Sequence, residues 1–166
     1  MLPVIIADAS PLIGLAKIGR LNLLQHLYQH ILIPPAVHAE LQAGSLRPGG
    51  AELQQALAEG WLETADYAAI PAAAVAELKQ RLDPGEAEAI ALALHLSADL
   101  LLIDEQRGRV VAQQKGVRII GTGIVLVTAK RRGHITSVRT ELDALFRCGY
   151  RLSARLREQL AVMAGE

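Results

Sequence analysis

The sequence predicts an α/β fold: a parallel sheet with helices on both faces. Two observations carry this. First, five short segments, at residues 3–8, 31–34, 61–66, 100–103 and 117–120, read as strands and are too short for helices. Most of them read as continuous rather than alternating apolar stretches, the pattern of strands covered on both faces. Second, the segments between them carry helix start and stop signals, and strands that alternate with helices imply crossover connections and hence a parallel sheet.

The elements follow in order. PVIIAD (3–8) is the first strand and ends in Asp8. Ser10 and Pro11 are expected to begin a helix as N-cap and first-turn proline, carrying Leu12, Leu15, Ala16 and Ile18 inward. A short helix around 21–28 leads into the second strand, ILIP. Pro35 opens the next helix, AVHAELQAG, on which Glu40 lies beside the apolar positions Val37 and Leu41, where a purely solvated Glu would sit opposite. SLRPGG (45–50) is a turn-rich connector, and GAELQQALAEG is a helix ending at Gly60. Trp61 then anchors the third strand, and residues 70–82 form another helix.

The segment DPGEAEAIALAL has the strongest helix signal. Asp83 is its N-cap, Pro84 its first position, and Glu86 stands where a capping box places its acid. Stepping about 100° per residue sets Glu86 at the edge of the apolar arc of Ala87, Ile90 and Ala91, and puts Glu88 with His95 and Asp99 on a face expected to meet solvent. LLLI (100–103) is a buried strand stopped by Asp104. QRGRVVAQQKG is a helix stopped by Gly116, VRII is the last strand, and TGIVLVTAKRRG is a helix ending at Gly133. Residues 135–166 predict two amphipathic helices, with Val138, Leu142, Leu145 and Phe146 on one and Leu152, Leu156, Leu160 and Met163 on the other. The expected organisation is one domain over 1–166, with 135–166 as its helical tail.

Composition narrows the class. A chain of 166 residues suits one full core, since a domain of about 150 residues buries roughly 70% of its unfolded surface. Apolar residues make up 51% of the sequence, mostly Ala, Leu, Ile and Val, but no run approaches the ~20 residues of a membrane span. The apolar N-terminus has no basic leading segment and is interrupted by Asp8, so it does not read as a signal peptide, and a cytoplasmic protein is expected. The lone Cys148 excludes an internal disulfide and a multi-cysteine zinc site, and the five histidines show no ligand spacing. The zero net charge hides an asymmetry: residues 1–104 carry 5 Lys and Arg against 12 Asp and Glu, and residues 105–166 carry 12 against 5. Either a polyanionic partner or mutual neutralisation across the fold accounts for that. With one Trp, one Phe and three Tyr there is no platform on which single-stranded bases would stack.

Four acids stand out by position. Asp8 and Asp104 end strands, where open α/β folds place their chemistry. Glu40 and Glu86 flank them on helices. Each has a structural alternative: Asp8 as an acid at a helix N-terminus, Glu86 in its capping box, Glu40 as an ordinary edge residue. Four carboxylates meeting in one crevice repel one another and hold their protons unless a cation joins them. An all-oxygen donor set selects a hard divalent ion, Mg²⁺ or Mn²⁺, and such sites suit phosphodiester hydrolysis. Arg107 and Arg109, in the turn after Asp104, are placed to hold a phosphate. Lys130, Arg131 and Arg132 end a helix, where the dipole favours cations in any case.

The segments IADASPLIGLAKIG, PPAVHAEL, DPGEAEAIALAL, LLLIDEQRGR and RIIGTGIVLVTAKRRG, in this order over residues 3–134, together resemble a PIN-domain protein, close to VapC-like toxins whose third motif reads GEAEAI. That resemblance implies a PIN-like three-layer α/β/α sandwich with a central parallel sheet and a Mg²⁺- or Mn²⁺-dependent ribonuclease. Carried over by motif, Asp8, Glu40, Glu86 and Asp104 match the first to fourth acids, as catalytic and metal-holding residues, and Ser10 matches a small polar residue supporting the first. The chain departs from the pattern at the third acid, where many such toxins have Asp and this one has Glu86. Glu105 is either an accessory ligand or a solvated neighbour. The resemblance also implies an endoribonuclease toxin paired with an antitoxin. The apolar tail face predicts a homodimer if it does not pack on its own sheet. Two other readings stay open: a non-catalytic PIN-like scaffold binding RNA or protein, and a phosphoryl-transfer domain with Asp8 as nucleophile, against which stands Ser10 where a second acid is wanted.

Overall fold

A computed structural model describes residues 2–166. The five segments form β1 (Ile5–Ala7), β2 (Ile31–Ile33), β3 (Leu62–Thr64), β4 (Leu100–Leu102) and β5 (Ile119–Ile120), all parallel, in the order β3-β2-β1-β4-β5. Between and after them lie α1 (Ala9–Lys17), α2 (Asn22–Tyr28), α3 (Pro35–Ala43), α4 (Gly50–Glu59), α5 (Ala72–Leu78), α6 (Pro84–His95), α7 (Gln106–Gln114), α8 (Thr122–Arg131), α9 (Val138–Arg147) and α10 (Ala154–Met163). The strands are short, and the central ones, β1 and β4, are buried on both faces, whereas the edge strands β3 and β5 are partly open, with Glu63 exposed. Ile5, Ala7, Ile31, Ile33, Leu62 and Leu102 pack in one core with α1 to α4, α8 and α9, whereas Ile6, Leu101 and Ile103 pack in a second core with α5, α6 and α7. This is the three-layer α/β/α sandwich that the continuous apolar runs predict.

The strand order locates the crevice. From β1 the chain moves outward to β2 and β3, then returns to place β4 on the other side of β1. Connections therefore diverge above the C-terminal ends of β1 and β4, which is the switch point where open α/β sheets leave room for a ligand. Ile5, Ile6 and Ala7 pair with Leu100, Leu101 and Leu102, so both strands stop at the same level.

Two local expectations are corrected. Ser10 does not cap the first helix: α1 begins at Ala9 with Asp8 as its N-cap residue, and Ser10 is an exposed residue of the first turn. The cause is β1 pairing, since the Asp8 N–H donates to Leu102 O (2.9 Å) and holds Asp8 in extended backbone until the helix starts. Pro11 is tolerated there because first-turn N–H groups have no intrahelical partner. Glu88 does not face solvent: it is 4% exposed, and every residue from Gly85 to Ala93 is buried. The helix α6 touches β1 and β4 as well as α3, α5 and α7. A helix enclosed on all sides has no polar face for a periodicity argument to find.

The tail divides likewise. On α9, Val138, Leu142 and Leu145 are buried, but Phe146 is 55% exposed, with the Arg157 guanidinium 5.1 Å from its ring centre. On α10, Leu160 and Ala161 are buried, while Leu156 and Met163 stay about half-exposed. Leu160 fits against α8 because Gly123 has no side chain, and an added Cβ there would lie 2.5 Å from a Leu160 methyl. The Glu166 carboxylate accepts from Val138 N–H (2.6 Å) and Arg139 N–H (3.2 Å) and pairs with Lys130 Nζ (3.0 Å), tying the end of the tail to the start of α9. Among the described residues no helix is long and apolar enough to cross a membrane.

Candidate active site

Asp8 leaves the end of β1, is 4% exposed, and faces acids from three other elements. The tightest meeting point is Gly85, the second residue of α6. A Cβ built there would lie 2.5 Å from Glu40 Oε1, 3.4 Å from Asp8 Oδ1 and 3.5 Å from Asp83 Oδ1. Only glycine admits three carboxylates from β1, α3 and the α6 cap around one backbone position. Asp83 does act as the N-cap of α6, accepting from Glu86 N–H (2.8 Å). Glu86 itself is 6% exposed and points toward the crevice, packed beside Gly108 of α7.

The electrostatics follow from that crowding. Burial pushes the Asp8 carboxyl up to about 7, the Ala9 N–H pulls it down, and the charges of Asp83, Glu40 and Asp104 add to the rise. Glu86 is likewise pushed up to about 7, first by burial and then by Asp83 and Asp8, with a smaller effect from Glu105. Burial and the charge of Asp83 also raise Glu40. Among the described residues none of these acids makes an ion pair with a basic side chain. The negative charge is thus gathered and left uncompensated, the condition in which a cation binds most favourably.

Asp104 sits differently. It ends β4 as expected, but both its oxygens are engaged: Oδ1 accepts from Thr122 N–H (2.8 Å) and Oδ2 from Thr122 Oγ1 (2.7 Å). Asp104 therefore caps α8 from outside, while a carboxylate's remaining lone pairs stay available to the crevice. Tyr150, from the turn after α9, stands beside it; burial raises its phenol, and the charge of Asp104 and a hydrogen bond to it act in the same direction. Among the described residues, no three His, Cys, Asp or Glu side chains close around a point tightly enough to enclose an ion. The donor chemistry of these oxygen ligands fits a hard divalent cation, and Asp8, Glu86, Glu40 and Asp104 are the residues that would hold it.

The remaining candidates are placed as follows. Ser10 and Arg109 line a groove of about 1420 Å³ that opens beside Asp104 and runs along α8 and α10. Arg109 donates to Ile103 O (2.8 Å), which fixes it at the end of β4. Arg107 is exposed, and its guanidinium donates to Arg81 O at 3.4 Å. Glu105 is exposed at the start of α7. The sequence did not single out Asp83, Gly85, Thr122 or Tyr150 as members of the site. Asp83 was hidden by its capping role, though a capping acid beside a glycine and a second acid is itself a sign of crowding. Thr122 and Tyr150 carry no local signal, because they reach Asp104 only through the packing of α8 and the tail.

No curated protein matches the chain at a significant level. A family model described as a PIN domain, DUF3368, matches residues 4–166. The match spans every strand and helix that builds the crevice, so the chain belongs to this PIN-domain family, a nuclease-type fold whose nucleases typically use divalent metal ions.

Proposed function

We propose that the protein is a Mg²⁺- or Mn²⁺-dependent endoribonuclease, cleaving RNA phosphodiester bonds at the crevice above β1 and β4. The observation that carries this is the meeting of Asp8, Glu40 and Asp83 around Gly85, with Glu86 alongside and, among the described residues, no basic side chain paired with them. When bound, a hard divalent ion supplies an activated water and offsets charge developing on the phosphate and the leaving oxygen. The chain's own part is to hold that ion with Asp8, Glu86 and Glu40. Asp104 is kept in one orientation by Thr122, and Ser10 stands two residues after the first acid, in the first turn of α1. Arg109, anchored on Ile103 O at the groove edge, and Arg107 beyond it offer positive charge to the phosphate backbone.

The resemblance to VapC-like toxins supports the further reading that this nuclease is the toxin of a toxin–antitoxin pair. Its antitoxin would lie over the acidic crevice, and two copies would associate through the half-covered face of α10. A second reading is favoured by one specific observation: both Asp104 oxygens are occupied by Thr122, as in a structural cap. On that reading the domain is a non-catalytic RNA- or protein-binding scaffold.

The deciding experiment is RNA cleavage by purified protein with Mg²⁺, with Mn²⁺ and with EDTA, in wild type, Asp8→Asn and Asp104→Asn. The nuclease reading expects activity only with metal, and a loss of at least ~10²-fold in each variant. Cleavage surviving both substitutions would sink it, and metal binding without cleavage would favour the scaffold.

A further inference from the structure

The second Glu of GEAEAI, Glu88, is a buried carboxylate that the proposed chemistry does not use. It lies on α6, is 4% exposed, and its Oε1 accepts from the Ala36 N–H of α3 at 3.0 Å. The start of α3 explains why that bond is there. The N-cap is Pro34, which has no side-chain acceptor, and the first helical residue is Pro35, which has no N–H. Ala36 therefore presents the first free amide of a helix that cannot cap itself, and the positive end of α3 is a favourable place for a carboxylate. Glu88 supplies the cap from the neighbouring helix.

This contact sits between two of the site's acids. Glu40 follows Ala36 by four residues, about one helical turn and hence nearly the same face of α3. Glu86 precedes Glu88 by two residues on α6. Close approach of the two helices at the crevice depends on Gly85, against which Glu40 Oε1 rests. One hydrogen bond, a turn away from the crevice along α3, thus links the helix carrying Glu40 to the helix carrying Asp83, Gly85 and Glu86.

We infer that Glu88 is a positioning residue: by capping α3 from α6 it holds Glu40 within reach of the same cation as Asp8 and Glu86. The inference rests on the metal-dependent reading above. Misplacement of a supporting group by a fraction of a helical turn matters because ligand oxygens must stand close to a hard cation, at about 2.0 to 2.6 Å.

The test is isothermal titration of Mn²⁺ into the full chain, with melting temperatures measured in parallel, for wild type, Asp8→Asn, Glu88→Ala, Glu88→Gln and Glu88→Asp. Glu88→Ala is expected to weaken Mn²⁺ binding by roughly 10- to 100-fold, the usual effect of removing a group that orients a ligand. Glu88→Gln, whose amide oxygen can accept the same N–H, is expected to stay within about threefold of wild type. Glu88→Asp keeps the charge on a shorter arm and is expected to fall toward Glu88→Ala. If Glu88→Ala does not fold, the Gln and Asp variants decide the matter between them. A Glu88→Ala protein that melts lower yet binds Mn²⁺ as wild type does would overturn the inference, since the cap would then serve stability only. Loss of binding in Glu88→Gln equal to that in Glu88→Ala would also overturn it, making the charge rather than the hydrogen bond the functional feature. Wild type binding Mn²⁺ no better than Asp8→Asn would overturn the metal reading and this role with it, whereas failure of the Glu88 arm alone leaves that reading standing.

Discussion

Asp8 and Asp104 leave adjacent parallel strands at the same level: Ala7 pairs with Leu102, and the Asp8 N–H donates to Leu102 O at 2.9 Å. Two acids 96 positions apart in sequence are thereby fixed side by side at the switch point of the sheet. Everything else in the site is brought to this pair by helices, and each helix contact gives a separate way to test it.

The pH dependence of stability follows from burial. The Asp8 carboxyl rises from an ordinary 3.8 to about 7, and that of Glu86 from 4.5 to about 7, so the folded protein keeps protons that the unfolded chain releases. Stability of the metal-free protein is therefore expected to be unaffected by these groups below about pH 4 and to fall as pH rises from there to about 7. Burying the ionised Asp8 costs on the order of 4 kcal/mol once the transition is complete. Thermal melts in EDTA across this range are expected to show the decline, Asp8→Asn to flatten it, and Mn²⁺ to restore stability at neutral but not at acid pH. A melting temperature that climbs steadily with pH in EDTA would contradict the buried cluster.

Gly85→Ala separates site geometry from stability. The new Cβ would lie 2.5 Å from Glu40 Oε1, the far end of a flexible side chain that can swing away, and alanine is favoured over glycine in a helix by up to about 1 kcal/mol. The variant is expected to melt no lower than wild type but to bind Mn²⁺ about 10-fold more weakly, because Glu40 is displaced. Titration and a melt on one sample check both halves.

Thr122→Val removes the hydroxyl that donates to Asp104 Oδ2 at 2.7 Å while leaving the Thr122 N–H bond to Oδ1. With one of its two Thr122 bonds gone, Asp104 can turn. The expected cost is about 1 kcal/mol of stability and roughly 10-fold in RNA cleavage, with Thr122→Ser close to wild type. Steady-state cleavage at saturating Mn²⁺ is the measurement, and an unchanged rate would show that Asp104 acts only as a cap.

The face of α10 predicts assembly. Leu156 is 40% exposed, Met163 45% and Val162 64%, although Leu160 between them is buried. Light scattering at micromolar concentration is expected to give a dimer mass for wild type and a monomer mass for Leu156→Glu. A monomeric wild type would remove the self-association part of the proposal without touching the crevice.

The sequence by itself determined the strands, the helix order and the strand-end acids. Each of these is written locally: a continuous apolar run stopped by Asp8 or Asp104, and a proline after a capping residue at Asp83. The layered α/β class was also legible, whereas Trp61, which the sequence leaves as a core or a rim anchor, is settled by packing at 8% exposure. Tertiary structure decided what the polar residues do. Glu88 was assigned to solvent by its helical angle, yet it is enclosed, because α6 is covered by the sheet on one side and by α3, α5 and α7 on the others, which no single-helix pattern contains. Ser10 was displaced from the cap position because β1 keeps Asp8 paired to β4 until Ala9. Asp83 joined the site, and Thr122 and Tyr150 came to Asp104, only when helices distant in sequence were packed together. The exposure of Phe146 and Leu156 was set in the same way, since an amphipathic stripe states which residues can be buried and the space left by neighbouring elements decides how many of them are.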